Sequence, residues 1–538
     1  MKTIRRSWSA VLLLLLFCPA SATPNGSGSN AADSIRRAPV IVRSGDSGVK
    51  GQLLSAFRAV SPDEFAVEEQ EIALSLQDAI TSALRNNQGI RVASHKPEQA
   101  RAGIMEAKAA YDPETFAEWE HSRNENPFRA STGERNKNYT RYDSERVGIR
   151  QRLPTGGALS GYREWENGVD KTYGQDKRRA GAGGYVIELS QPLLNGFGDK
   201  EVRTNIVISR LQHDMSEEEF RQTVMQTMAD TIEAYWNVAL AREEVRIAEE
   251  TLAMAQALLE RESLRQGKDL STRLDVHRAR EAVSTRTTTL LNAQDQEQIT
   301  QERLKLMLNN RTAPIGTDVK IVIAETMETP LVKADLDKSI NSALENRPEL
   351  RNADLAIRAG EARESYAKHN LLPRLNIGGS ARRNDRSSNN SVPGSRNDTA
   401  GTDFTVGATF SMPIGNMAAR AQLRRASSEL SQSIDEKKNT RSVIIAEVKT
   451  AVKSMELLVQ EIPQSKRAAE AAVKVVEGEW ARFELNQVGN RDLLQAQDLL
   501  AVSERNRIQT MIRYNIAIAR LLAAEGTLLS QMGIELLR

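Results

Sequence analysis

Residues 79–113 read AITSALRNNQGIRVASHKPEQARAGIMEAKAAYDP, and residues 339–373 read SINSALENRPELRNADLAIRAGEARESYAKHNLLP. They align without a gap at an offset of 260. Ile80, Ser82, Ala83, Leu84, Asn86, Arg91, Ala93, Ala102, Ala107, Lys108 and Pro113 return as Ile340, Ser342, Ala343, Leu344, Asn346, Arg351, Ala353, Ala362, Ala367, Lys368 and Pro373. Recurrence at this distance predicts two copies of one structural unit, packed about a pseudo-axis. Two long copies in one chain favour a symmetric scaffold or channel over a single catalytic cleft.

Each copy opens with a helix. The first runs from about Ser75 to Ala110, interrupted near Asn86-Asn87, and its twin runs from Leu336 to Asn370. Pro113 and Pro373 end them, because proline cannot continue a helix. After each proline the hydrophobic period falls from 3.6 to 2. Val147, Ile149 and Leu153 alternate with Arg146, Gly148, Arg150 and Arg152. Tyr185, Ile187 and Leu189 alternate with Val186, Glu188 and Ser190, and Phe404, Val406, Ala408 and Phe410 with Thr405, Gly407, Thr409 and Ser411. Such alternation predicts strands with one apolar and one wet face. Residues 116–121, 158–166 and 374–382 are weaker strand candidates. Arg123 to Asp143, Asn167 to Gly183 and Arg383 to Thr402 carry no alternation and are expected to be polar loops.

Long helices follow the strands. From about Lys200 to Arg265 the chain contains no proline, a span of ~100 Å if fully helical. Val238, Val245, Leu252 and Leu259 recur at seven-residue spacing, with Ala241, Ala248 and Ala255 three positions further on. Val448, Met455, Ile462, Ala469 and Val476 do the same in the second copy. A sustained seven-residue spacing is a coiled-coil seam, and the alanines predict close helix contact. Pro463 predicts a kink. Turn signals at Gln266-Gly267-Lys268-Asp269 and Gln487-Val488-Gly489-Asn490 precede return helices, Thr272 to Leu308 and Arg491 to Gly526.

The composition agrees with long helices. Among 538 residues, 40% are hydrophobic but only 4% aromatic, so the apolar content is mostly aliphatic. A net charge of +2 argues against nucleic acid as a partner. Lys2, Arg5 and Arg6, the apolar run Val11 to Phe17, and Ala20-Ser21-Ala22 are expected to form a signal peptide over residues 1–22. Cleavage there would remove three basic residues and take the net charge from +2 to −1. The single cysteine, Cys18, lies in this segment. Lipidation at Cys18 is the alternative, but bulky Leu16 and Phe17 precede it where small residues are wanted. Residues 23–70 are expected to be a linker arm. Residues 71–310 form the first repeat, with strands within about 114–192, and residues 334–538 the second, with strands within about 374–413. A linker, 311–333, joins them. No stretch is long and apolar enough for a membrane helix, a criterion that leaves a β-barrel open.

Four to six strands cannot close a membrane barrel, which needs about eight or more. Three copies would supply roughly 12 to 18. The expected fold is therefore a mixed α/β membrane protein. Its trimeric β-barrel takes strands from each protomer and continues as a long α-helical coiled-coil barrel, and each chain carries an internal two-fold repeat.

The chain resembles the TolC-like outer-membrane efflux protein family. The resemblance rests on the paired openings LSLQDAITSALRNNQGIRVAS and ADLDKSINSALENRPELRNADLAI, on ELSQPLLNGFG and FSMPIGNMAARAQL after the strands, and on FELNQVGNRDLLQAQDLLAVSERN at the second turn. It runs from about residue 72 to 536. The resemblance implies a homotrimer in the cell outer membrane, in contact with lipid, with its helical part in the periplasm. It implies the passive exit duct of a tripartite efflux or type I secretion system, docked to a periplasmic adaptor and an inner-membrane pump. The family's tunnel narrows where acidic residues project inward after the second turn. Asp492 falls on the first acidic position and Gln495 on the second, so one charged ring is replaced. Independently, Asp492 fits a first-turn acid favoured by the helix dipole, and Asp275 is its equivalent in the first repeat. Gly267, Lys268, Gly489 and Asn490 resemble the hairpin tips that meet the adaptor; on their own, the glycines would simply end helices.

The first copy needs 79 residues from Pro113 to Pro192, whereas the second needs 40 from Pro373 to Pro413. The insertion contains Pro154-Thr155-Gly156-Gly157 and is either an added hairpin or an elaborated surface loop. Trp119 and Trp165 nearby are candidate interface anchors or packing residues. The sequence carries no catalytic, cofactor or metal signature. Histidines 95, 121, 213, 277 and 369 are scattered without metal-ligand spacing, and there is no P-loop. A periplasmic coiled-coil adaptor or scaffold without a pore is the rival reading, and it leaves the alternating strands unexplained.

Overall fold

The computed structural model describes residues 71–534 except 130, 132, 172–177, 269–270, 326–330, 332, 390–395 and 486; for 178–180, 385–389 and 396–400 it describes the backbone alone. The signal segment 1–22, the arm 23–70 and Cys18 lie outside the described residues.

A short strand β1 (Glu71–Leu74) leads into α1 (Leu76–Asn86) and α2 (Gln88–Lys108). Ser75 caps α1 by accepting from the Asp78 N–H. Asn87 separates the two helices in extended conformation, and its side chain caps α2 through Gly89 and Ile90. The same break recurs between α5 (Leu336–Asn346) and α6 (Pro348–His369), where Arg347 takes nearly the same φ and ψ. Asn87 N–H donates to Ala83 O and Arg347 N–H to Ala343 O, so the two kinks share this backbone bond, although Arg347 makes no side-chain cap.

Six strands form one antiparallel sheet in the order β2 (Glu114–Arg129), β3 (Arg135–Arg152), β4 (Ala158–Lys171), β5 (Arg178–Pro192), β7 (Arg374–Asn389) and β8 (Arg396–Ser411). The weaker candidate segments fall within β2, β4 and β7. The stretches expected as polar loops are largely strand: β2 pairs with β3 in register out to Arg129 and Arg135, and β7 with β8 out to Asn389 and Arg396. The expectation failed because ladder bonds belong to the backbone, whereas alternation appears only where the two faces meet different surroundings. The insertion is a hairpin, β3–β4, placed between the strands that follow Pro113 and precede Pro192.

The helical part comprises α3 (Lys200–Gln266) and its return α4 (Arg273–Leu308), then α7 (Met417–Glu484) and its return α8 (Asn490–Ala524), with a short α9 (Leu528–Gln531) at the end. Pro463 lies inside α7 without ending it. The seam residues Val238, Ala241, Ala248, Ala255, Val448, Met455 and Ala469 are buried. Two larger cores hold the helices together. One centres on Met228, Ile232, Tyr235, Leu304 and Ile508, and the other on Val448, Met455, Tyr514 and Ala343. The expected linker 311–333 contains β6 (Lys320–Ile323), which pairs in parallel with β1. The Gln301 side chain bonds both the N–H and the C=O of Ile321 and so pins β6 to α4. Four-residue strands are too short to show a period, so this pair leaves no sign in the sequence.

Candidate functional site

The sheet has two chemically opposite faces. One carries Ala117 and Trp119 of β2, Val147 and Ile149 of β3, Leu159 and Gly161 of β4, Tyr185, Ile187 and Leu189 of β5, Ile377 and Ala381 of β7, and Phe404, Val406 and Phe410 of β8. The registers align these residues in rows. Most are exposed, Val406 by 81% and Phe404 by 77%, and Ala381 is half-buried. The apolar rows span ~25 Å of strand, the height of an outer-membrane barrel belt. Trp119 and Trp165 lie on this face at the edge of the belt. Beyond them it becomes charged, with Arg141 paired to Asp143 at 3.3 Å and Lys137 to Glu125 at 3.0 Å. Arg163 sits at the border, its guanidinium 4.6 Å from the Trp165 ring and donating to the Tyr185 hydroxyl at 3.1 Å. Aromatic rings with a polar edge suit a boundary between lipid and water.

The opposite face is polar. Arg150 makes a bidentate pair with Glu114 at 2.8 and 3.0 Å. Glu164 is buried between Arg382, at 2.5 Å, and Arg146, at 3.6 Å. Tyr162 donates to Glu188 at 2.9 Å.

The strands pass into the helices through two tight connectors. Asp199 before α3 and Asn416 before α7 both adopt left-handed backbone, each preceded by a positive-φ glycine, Gly198 or Gly415. Asp199 is buried and bonded to Arg152 at 2.7 Å. The β3–β4 turn docks on the first connector, where Gly198 N–H donates to Thr155 O at 2.8 Å. A Cβ on Gly156 would lie 2.0 Å from Gly196 O, so only glycine fits. His369 accepts from Gly196 N–H at 3.2 Å, tying the end of α6 to the same connector. Burial, and then the charge of Lys200, hold the His369 pKa below its ordinary value.

At the far end the hairpin tips of α3–α4 and α7–α8 lock together through Leu258, Ala279, Phe483 and Leu493. Gly267 and Lys268 are exposed just after α3. Gly489 is also exposed, but it precedes α8 in extended conformation and so begins a helix instead of ending one. Asn490 is buried, and its amide donates to Asp275 O at 2.9 Å, joining the tips. Asp275 forms a capping box with Thr272. Asp492 lies in the first turn of α8 with no cap bond, exposed, and Gln495 is exposed one turn further on. The sequence offered no sign of the Phe483 cluster, because its members come from four helices.

One histidine does gather acids, contrary to the sequence expectation. His213, Asp214 and Glu217 of α3 have ligand atoms within 4.8 Å of one another. Asp214 faces Nδ1 at 3.6 Å and Glu217 faces Nε2 at 3.9 Å, so the acids approach opposite sides of the ring.

An apolar, tryptophan-bordered sheet carried on paired helical hairpins is an outer-membrane arrangement, and the comparison with known proteins agrees. The outer membrane efflux protein family profile matches residues 79–310 and 339–527. The chain belongs to the outer membrane efflux protein family. It is 24% identical over 414 residues to the outer membrane efflux protein BepC of Brucella suis biovar 1 (strain 1330), covering 74% of this chain and 85% of BepC. Its fold is similar to that of the Campylobacter jejuni CmeC outer membrane channel, with a TM-score of 0.62 at 15% identity over 84% of this chain and 86% of CmeC. The Neisseria gonorrhoeae MtrE outer membrane channel in its open state gives a TM-score of 0.58 at 18% identity over 84% of this chain and 89% of MtrE. The family places this efflux protein in the outer membrane, and its members are channels, not enzymes.

Proposed function

We propose that three copies of this efflux protein close an eighteen-stranded barrel and act as the passive exit duct of a tripartite efflux or type I secretion system. The open sheet carries the reading. With six antiparallel strands, its edges β2 and β8 run in opposite directions, so β8 of one copy can continue the ladder onto β2 of the next. Closure also removes two long unpaired edges. Eighteen strands make a barrel on the order of 35 Å across, wide enough for an aqueous interior. The apolar face then meets lipid and the charged face lines the duct. The matching kinks at Asn87 and Arg347, and the matching left-handed connectors, support an internal two-fold repeat of the α–β–α unit.

The helical hairpins continue the duct into the periplasm. Gly267, Lys268 and Gly489 form the exposed tip surface offered to a periplasmic adaptor and, through it, to an inner-membrane pump; Asn490 holds the two tips in register beneath it. Asp492 and Gln495 are the gate candidates, with Asp492 supplying three carboxylates in the trimer. The test is reconstitution in a planar bilayer. Stepwise currents are expected, with a cation preference at high salt that falls in Asp492→Asn. An unchanged reversal potential in that variant removes the gate assignment, and absence of any conductance removes the channel.

A further inference from the structure

A cavity of about 730 Å³ lies at the foot of the sheet, between the two connectors. Its walls come from the end of α6, the starts of β7, α3 and α7, and Arg152 of β3. Two amide bonds hold them together. Asn195 donates to Asn370 O at 3.5 Å, and Asn416 to Leu371 O at 3.1 Å. Three cations and two carboxylates line the cavity, leaving a net positive charge. Arg152 engages both acids, Asp199 at 2.7 Å and Glu201 at 3.2 Å. Asp199 is 1% exposed, whereas Lys200 and Arg374 are both open to solvent. The side chains of Lys200 and Arg374 make no ion pair or hydrogen bond among the described residues. His369 accepts from Gly196 N–H through Nε2, so its own proton sits on Nδ1, where it meets no acceptor among the described residues. Three donors around one cavity are therefore uncommitted.

The internal repeat shows that the junction does not require them. At the offset of 260, His369 and Arg374 correspond to Ala109 and Glu114. Lys200, which follows left-handed Asp199, corresponds to Met417, which follows left-handed Asn416. The first copy forms the same broken helix and strand start with Ala109 and Glu114 in these places, and the second connector forms with Met417.

We propose that this cavity binds a compact organic anion headed by a phosphate or a carboxylate, through Arg374, Lys200 and His369. Arg374 supplies a planar fork suited to either head group, Lys200 a point charge, and His369 a neutral donor. Leu372, Met412 and Pro413 give an apolar wall for the rest of the molecule. The volume falls within the ~300–1,000 Å³ usual for ligand pockets. An occupant would touch both connectors and so tie the two repeats together where sheet becomes helix. The cavity lies within one chain, so the inference goes beyond the channel reading and does not depend on it.

Equilibrium dialysis of the full protein in phosphatidylcholine nanodiscs, with empty discs as the blank, tests this. The probes are naphthyl phosphate, naphthoate and naphthylmethylammonium, which share one ring system and differ in charge. The two anions should bind saturably at low salt, and the ammonium should not. Lys200→Met, which installs the second connector's residue, and Arg374→Gln should each weaken anion binding on the order of tenfold. Lys368→Gln removes an exposed charge outside the cavity and should change it less than about twofold. Hydrogen exchange at residues 193–200 and 411–416 should slow when naphthyl phosphate binds, and in the free variants it reports that the junction is still folded. Arg374→Glu, with the residue that the first copy holds, should abolish binding with the junction intact. Loss of probe binding in phosphatidylglycerol discs would assign the site to a lipid headgroup, and unchanged binding would assign it to a solute. Ammonium binding as strong as that of the anions, an equal loss in Lys368→Gln, or no saturable binding overturns the inference and leaves the channel reading standing.

Discussion

Phe483→Ala tests whether the hairpin tips are a small separate core that opens on its own. Phe483 is 2% exposed and packs on Leu258, Ala279 and Leu493, with Leu259, Trp480, Val488 and Leu494 around them. The Arg265 guanidinium lies 4.7 Å from its ring centre and donates to its carbonyl at 3.3 Å. Truncating a buried phenylalanine costs about 3–5 kcal/mol, including the cavity it leaves. Four buried side chains cannot absorb that loss, so the cost should appear as local opening and not as global unfolding. At about 1.4 kcal/mol per tenfold, slow amides in residues 255–266 and 478–500 should exchange on the order of 10² to 10³ times faster. Phe483→Leu keeps most of the volume and should change exchange less than about tenfold. Hydrogen exchange with mass spectrometry on the detergent-solubilised protein gives both numbers. Unchanged protection at the tips, or an equal loss around Ile232 and Leu304, refutes the reasoning.

Three further outcomes follow from the connectors and the short sheet. Gly156→Ala meets a backbone oxygen and a φ of +86°; it should cost about 2–5 kcal/mol and undock the β3–β4 turn, seen as a lower denaturant midpoint. Gln301→Ala leaves the N–H and C=O of Ile321 without their side-chain partner in a buried setting and should cost about 2–4 kcal/mol, with exchange increased at β6. His369 gives a pH dependence. Its pKa is depressed in the folded protein, so the unfolded chain binds the proton first as pH falls. Its full contribution is present above the ordinary histidine value of about 6.5 and declines below it until the folded form also protonates. The stability of His369→Gln should therefore vary less between pH 7.5 and 5 than that of the parent protein, and parallel curves would exclude His369 as the source.

Much of the fold was legible because it repeats. The gapless match of 79–113 to 339–373 marked both broken helices, and the heptads beginning at Val238 and Val448 marked both long ones. Strand number was less legible. Alternation at Val147, Tyr185 and Phe404 showed where strands cross the belt, but Arg123–Asp143 and Arg383–Thr402 are polar along most of their length and so carry no period. The β1–β6 pair was too short to register at all. The site was legible only where chemistry is local: Asp275 caps its helix as its position implies. Asn490 shows the limit, because its burial against Asp275 O depends on a helix more than 200 residues away.

The central claim is that three six-stranded sheets close into one barrel. Native mass spectrometry of the detergent-solubilised protein, with electron microscopy of the same sample viewed down the duct, tests it most directly. The account predicts a trimer with threefold symmetry and a ring on the order of 35 Å across. A monomer with an open sheet, or a narrower ring that leaves the β3–β4 hairpins outside the wall, would contradict it.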